Sequence, residues 1–146
     1  MSDEHLVLAG GGHTHALILR RWCMSPHLKP KGLITLINKQ STTIYSGMIP
    51  GLIAGHYKLD QLLIDLRGLT EQAGVAFVME EIVGINALNN TIHLKSRPPI
   101  TFKRTSIDVG SETSQSDVFI RTQRSNLIMP IKPFDRALGW IEHQDN

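Results

Sequence analysis

Residues 6–22 read LVLAGGGHTHALILRRW: an apolar run, three successive glycines, then a segment with helical spacing. Residues 5–9, HLVLA, are short, apolar and run straight into glycine. That is the profile of a strand buried in a parallel sheet. From His13 to about Met24, Ala16, Leu17, Leu19 and Trp22 can share one apolar face while Arg20 and Arg21 fall outward. Pro26, Pro30 and Gly32 in SPHLKPKG end the helix. Residues 33–38, LITLIN, supply a second apolar strand. Strand, glycine turn, helix and strand make one βαβ unit over 5–38, which predicts a parallel sheet.

The glycine turn has a specific chemistry. Gly10-Gly11-Gly12-His13-Thr14-His15 matches Gly-x-Gly-x-x-X between a strand and a helix. One glycine permits the sharp turn, and another lets the backbone approach a pyrophosphate with no Cβ in the way. The helix start then offers free N–H groups and the positive end of the helix dipole. Two positions depart from the dinucleotide fingerprint. His15 stands where a third glycine or alanine lets helix and strand pack closely. Asn38 ends the second strand, where an acidic residue usually accepts from ribose hydroxyls; its amide oxygen can accept, without charge. A plain structural corner is the alternative reading of the glycines. A metal site through His13 and His15 is a further one, although H-x-H-x7-C-x3-H, running through Cys23 to His27, matches zinc spacing poorly.

Farther along, residues 39–57 form a loop rich in glycine and apolar residues, which predicts packing against protein core or a ligand. KLDQLLIDLRGLTEQAG predicts one amphipathic helix, capped by Asp60, striped by Leu62, Leu63, Leu66 and Leu69, and ended by Gly74. VAFVM predicts a third buried strand, completing a helix-and-strand segment over 58–79. From Glu81 to residue 104 the pattern becomes a meander: EIVGIN and TIHLK flank an Asn89-Asn90 hairpin tip, and ITFK follows Pro98-Pro99. TSIDVG predicts a further buried strand. VFIRTQ and KPFDRALGWIEHQ predict a strand and a C-terminal helix, so that 105–143 closes the fold.

Composition bounds the rest. The chain has 146 residues, 41% hydrophobic and 19% charged, with a net charge of +2. That charge is too small to imply nucleic acid. No apolar run is long enough for a membrane span, and the acidic start MSDEH lacks a signal-peptide pattern, which makes the cytoplasm the default expectation. The single cysteine, Cys23, excludes a disulfide or a Cys-x-x-Cys pair within the chain.

Taken in order, LVLAGGGHTHALILRRW, TLIN, TTIYSGMIPGLIAGHY, TSIDVGSET and IMPIKPFDRAL resemble the pyridine nucleotide-disulfide oxidoreductase superfamily. They are most similar to its type II NADH dehydrogenase-like flavoproteins, and within these to the flavoprotein module fused to selenide, water dikinase in some bacteria. The resemblance implies an α/β fold, a Rossmann-like FAD-binding parallel sheet with a three-stranded antiparallel β-meander. It implies Gly10, Gly12 and His13 at the FAD pyrophosphate, with Gly11 and His15 in the same turn, and Asn38 facing the adenosine ribose. Tyr45, Ser46, Gly47, Met48 and Pro50 would form the loop beside the flavin ring. Ile82 or Val83 would pass near the adenine. Gly110 would stand at the family's Ala-Thr-Gly, from which Asp108 and Val109 depart. The family's redox cysteine pair is absent, which argues against disulfide reduction.

A complete member would continue beyond KPFDRALGW. The expectation is therefore an N-terminal, incomplete FAD/NAD(P)-binding domain over 1–146, with NAD(P)H bound by a domain outside this chain. The implied activity passes hydride from NAD(P)H through FAD to an acceptor. No residue is required as catalytic acid, base or nucleophile, because the cofactor carries the chemistry. The rival expectation is a nucleotide-binding or interaction module without turnover. The exposed sheet edges of an incomplete domain would also allow two chains to pair as a homodimer.

Overall fold

In the computed structural model, residues 4–110 are described. The chain divides into two units, Met1–Val109 and Gly110–Asn146, and every element described here belongs to the first. The predicted βαβ unit is present as β1 (His5–Ala9), α1 (His13–Met24) and β2 (Leu33–Asn38). Between α1 and β2, Pro26–Leu28 form one 3-10 turn. Two later strands, β5 (Ala76–Met79) and β9 (Arg104–Ile107), complete a parallel sheet of order β5-β2-β1-β9.

Strand periodicity sorts the sheet's side chains to two faces. Leu6, Leu8, Ile34, Leu36 and Phe77 meet Ala16, Leu19 and Trp22 of α1. The following helix, α3 (Leu66–Ala73), adds Leu66 and Ala73 to that layer. Val7, Ala9, Ile37 and Val78 face the other way, against the meander of β6 (Ile82–Asn86), β7 (Thr91–Leu94) and β8 (Ile100–Thr101). Ile92 and Leu94 are the buried contributions of that meander. Leu8, Leu19, Leu36 and Leu66 are all but fully buried, each contributing about 2 kcal/mol through removal from water. The result is an α/β fold with a four-stranded parallel sheet and a separate three-stranded antiparallel sheet, as expected. The hairpin tip falls at Asn90, whose φ of +50° suits the left-handed turn that asparagine tolerates.

Three local expectations need correction. The helix predicted from residue 58 begins at Leu66. Ahead of it lie a 3-10 turn, Leu59–Leu62, and β4 (Leu63–Asp65), which pairs antiparallel with β3 (Thr42–Ile44). That pairing holds Leu63–Asp65 extended, and the cap is Asp65, not Asp60: the Asp65 carboxylate accepts from the Gly68 amide at 3.0 Å. Leu62 and Leu66 are both buried, so the four-residue spacing that reads as one helical face is shared between two elements. Gly74 does end the helix, at φ +62°.

The apolar loop 39–57 is largely structured, holding β3, a 3-10 turn at Ser46–Met48 and the short helix α2 (Ile49–Ile53). Of its apolar side chains Ile49 is buried, while Ile53, Tyr45 and Tyr57 are exposed. Finally, β5 and β9, both expected to be buried, are only half-buried, because they are the outer strands of the sheet among the described residues. The strand and helix predicted at VFIRTQ and KPFDRALGWIEHQ lie outside the described residues. No helix among the described residues is long and apolar enough to cross a membrane.

Candidate functional site

The chain builds its sheet outward from β1 in both directions. It moves first to β2 and β5, then returns to place β9 on the opposite side. The β1–β9 boundary is thus a topological switch point, and open α/β sheets bind ligands in the crevice beyond the strand ends at such a point. The glycine turn occupies this place. Gly10 extends the ladder, its amide donating to the Ile37 carbonyl at 2.8 Å, and then turns at φ +93°. A Cβ on Gly10 would be strained by that dihedral and would collide with the Asp108 carbonyl. Gly11 is fastened to the end of β2, its amide donating to Asn38 Oδ1 at 2.9 Å, while Asn38 Nδ2 donates to the Gln40 carbonyl at 2.8 Å. Asn38 therefore uses both ends of its side chain within the fold, on the same turn where a ribose contact was expected.

The start of α1 leaves the amides of Gly12, His13, Thr14 and His15 without intrahelical acceptors. Asp108 takes two of them. Its carbonyl accepts from Gly12 at 3.0 Å and its Oδ2 accepts from His15 at 3.2 Å. The amides of His13 and Thr14 donate to nothing among the described residues. Two open amides at the positive end of a twelve-residue helix, approached past Gly12, fit the oxygens of a diphosphate. A side chain on Gly12 would meet the Asp108 carboxylate, which lies against that approach.

His15 is fully buried and lies beneath the turn. Its Nδ1 is 2.6 Å from the Gly10 carbonyl and its Nε2 is 2.9 Å from Ser106 Oγ. A carbonyl can only accept, so Nδ1 carries the proton and Nε2 faces the Ser106 hydroxyl. The position of the third glycine is thereby filled by a polar tie joining α1, the turn and β9. His13, by contrast, is exposed and tilts against Tyr45, with ring centroids 4.8 Å apart. Cys23 Sγ donates to the Leu69 carbonyl at 3.5 Å. No group of three or more His, Cys, Asp or Glu side chains among the described residues is placed to hold a metal.

An open groove of about 620 Å³ lies between α1, the 3-10 turn at Ser46–Met48, β4 and α3; its walls include His13, Leu17, Tyr45, Met48, Leu63 and Leu69. Three expected site residues, His13, Tyr45 and Met48, therefore line one groove. Ser46, Gly47 and Pro50 are exposed beside it. Ile82 is elsewhere, packed on the sheet face away from α1, and Val83 is exposed. Gly110, exposed at φ +82°, follows the end of the sheet unit. Sequence reasoning missed Leu66 under Gly11 and Ser106 against His15. It noted Asp108 only as a departure from a motif. Strand alternation puts Ser106 and Asp108 on one face, but only the register, Leu8 opposite Ser106, shows that this face meets the glycine turn.

No protein-family profile matches the chain, and no curated protein matches it. Solved structures do. The sulfide:quinone oxidoreductase of Aquifex aeolicus is 25% identical, with a TM-score of 0.61 over 73% of this chain and 24% of that one. Reduced CoADR-RHD of Bacillus anthracis is 17% identical, with a TM-score of 0.64 over 80% of this chain and 22% of its own. NDH2 of Plasmodium falciparum, solved in complex with NADH, is 15% identical, with a TM-score of 0.62 over 77% and 23%. The fold is thus Rossmann-like, shared with these solved structures. The chain spans about a quarter of the length of the proteins it matches.

Proposed function

We propose that the chain is the FAD-binding part of an NAD(P)H-dependent flavin oxidoreductase. The observation that carries this reading is the pair of amides, His13 and Thr14, without a partner among the described residues, at a glycine-lined helix start on the sheet's switch point. These amides bind the diphosphate, and the positive φ at Gly10 makes the sharp turn that leads into them. Asn38 sets the turn against β2. Tyr45 and Met48, in the groove shared with His13, flank the ring end of the ligand. When bound, FAD supplies the hydride chemistry between a nicotinamide cofactor and an acceptor, and the described residues bind and orient it. The finer likeness, to the module fused to selenide, water dikinase, rests on the sequence motifs alone.

The test is titration of FAD and of ADP into the purified chain, followed by flavin fluorescence for FAD and by calorimetry for both. Weak FAD binding that is competed by ADP is the expected result, since an incomplete site supplies only part of the cofactor's contacts. Binding of ADP without any preference for FAD would favour a bare nucleotide module. Binding of neither would end the reading.

A further inference from the structure

The start of α1 already holds an anion of the chain's own. Asp108 sits two residues beyond Ser106 on the β9 side of the turn, its amide anchored on the Ala9 carbonyl at 2.8 Å. From there its carboxylate accepts from the His15 amide and lies against Gly12, beside the open amides of His13 and Thr14. A carboxylate at a helix start is favourable by itself, because it answers the partial positive charge there. A diphosphate arriving at the adjoining amides meets that negative charge at close range.

We infer that Asp108 is an internal competitor of the dinucleotide. Its charge stabilises the ligand-free glycine turn and weakens anion binding at the same helix end. This rests on the reading of the turn as a diphosphate site. Two features of the geometry make the competition local to Asp108. Glycine at position 12 leaves room for the carboxylate, and the hydrogen bond from Gly12 to the Asp108 carbonyl fixes the backbone from which the side chain swings.

The experiment compares the full chain with Asp108→Asn and Asp108→Ala, by calorimetric titration of ADP and of FAD and by thermal melting without ligand. Asp108→Asn keeps the shape and an acceptor oxygen for His15, so it reads charge in a fold that survives. Both variants are expected to bind ADP and FAD about tenfold more tightly than the wild type. Asp108→Ala is expected also to melt lower without ligand, since the His15 amide loses its acceptor. If the wild type binds and neither variant binds more tightly, the inference is overturned while the diphosphate reading stands. If no form binds ADP or FAD, both fall together.

Discussion

At the scale of single residues, His15 is the informative position. Dinucleotide turns use a small residue there so that helix and strand approach closely. Here a fully buried imidazole spans the gap and satisfies both ring nitrogens, one on the Gly10 carbonyl and one on Ser106. It is a strut under the turn, buried and bonded at both ring nitrogens. His15→Ala should therefore remove both packing and two hydrogen bonds, lowering stability by about 3 kcal/mol. Ser106→Ala removes one partner only and should cost about 1 kcal/mol. Urea denaturation of the two variants checks the order, and an equal or reversed ranking would refute the strut.

At the scale of elements, α3 shows how local capping outweighs periodicity. The leucines of 62–69 suit a long helix, but Asp65 accepts from Gly68 and β4 pairs with β3, so the helix starts late. At its other end the Lys29 ammonium donates to the carbonyls of Ala73 and Gly74, at 2.8 and 3.0 Å, where a helix favours positive charge. Replacing Asp65 by Ala should cost about 1 kcal/mol and replacing it by Asn only a few tenths. The Asp60→Ala change, at the exposed residue that the sequence favours as the cap, should be close to neutral. Chemical denaturation of the three variants separates the alternatives directly.

At the scale of the whole described unit, the sheet is covered on one face by α1 and α3 and on the other by the meander, which carries a charge cluster. Hydrogen bonding by the Glu81 amide, then by Ser96, holds Glu80 below its usual 4.5. The Lys95 ammonium, 2.8 Å away, holds Glu81 below 4.5 and is itself pushed above 10.5. A depressed carboxylate contributes stability above its unfolded pKa and loses it as acid protonates the folded form. A raised lysine contributes below its unfolded pKa and loses it as alkali deprotonates the folded form. The cluster's contribution is therefore present from above 4.5 to below 10.5 and fades outside that window. The stability difference between the wild type and Lys95→Met should persist at neutral pH and vanish at acid pH as Glu81 protonates. A difference unchanged at acid pH would refute the coupling.

Much of this was legible in the residues alone. Helix α1, β1 and β2 follow from apolar periodicity punctuated by Gly10–Gly12 and by prolines, all local signals. The hairpin follows from Asn89-Asn90 in the same way, and the glycine turn marks its own place at a helix start. What only the tertiary structure decided depends on segments far apart in the chain. Pairing with Thr42–Ile44 turned Leu63–Asp65, inside a helical pattern, into strand, because strand hydrogen bonds come from a partner that helical periodicity cannot see. The parallel register of β1 with β9 brought Ser106 under His15 and Asp108 to the mouth of α1, contacts spanning more than ninety residues. Periodicity states which side chains share a face; only the closed sheet states which faces meet.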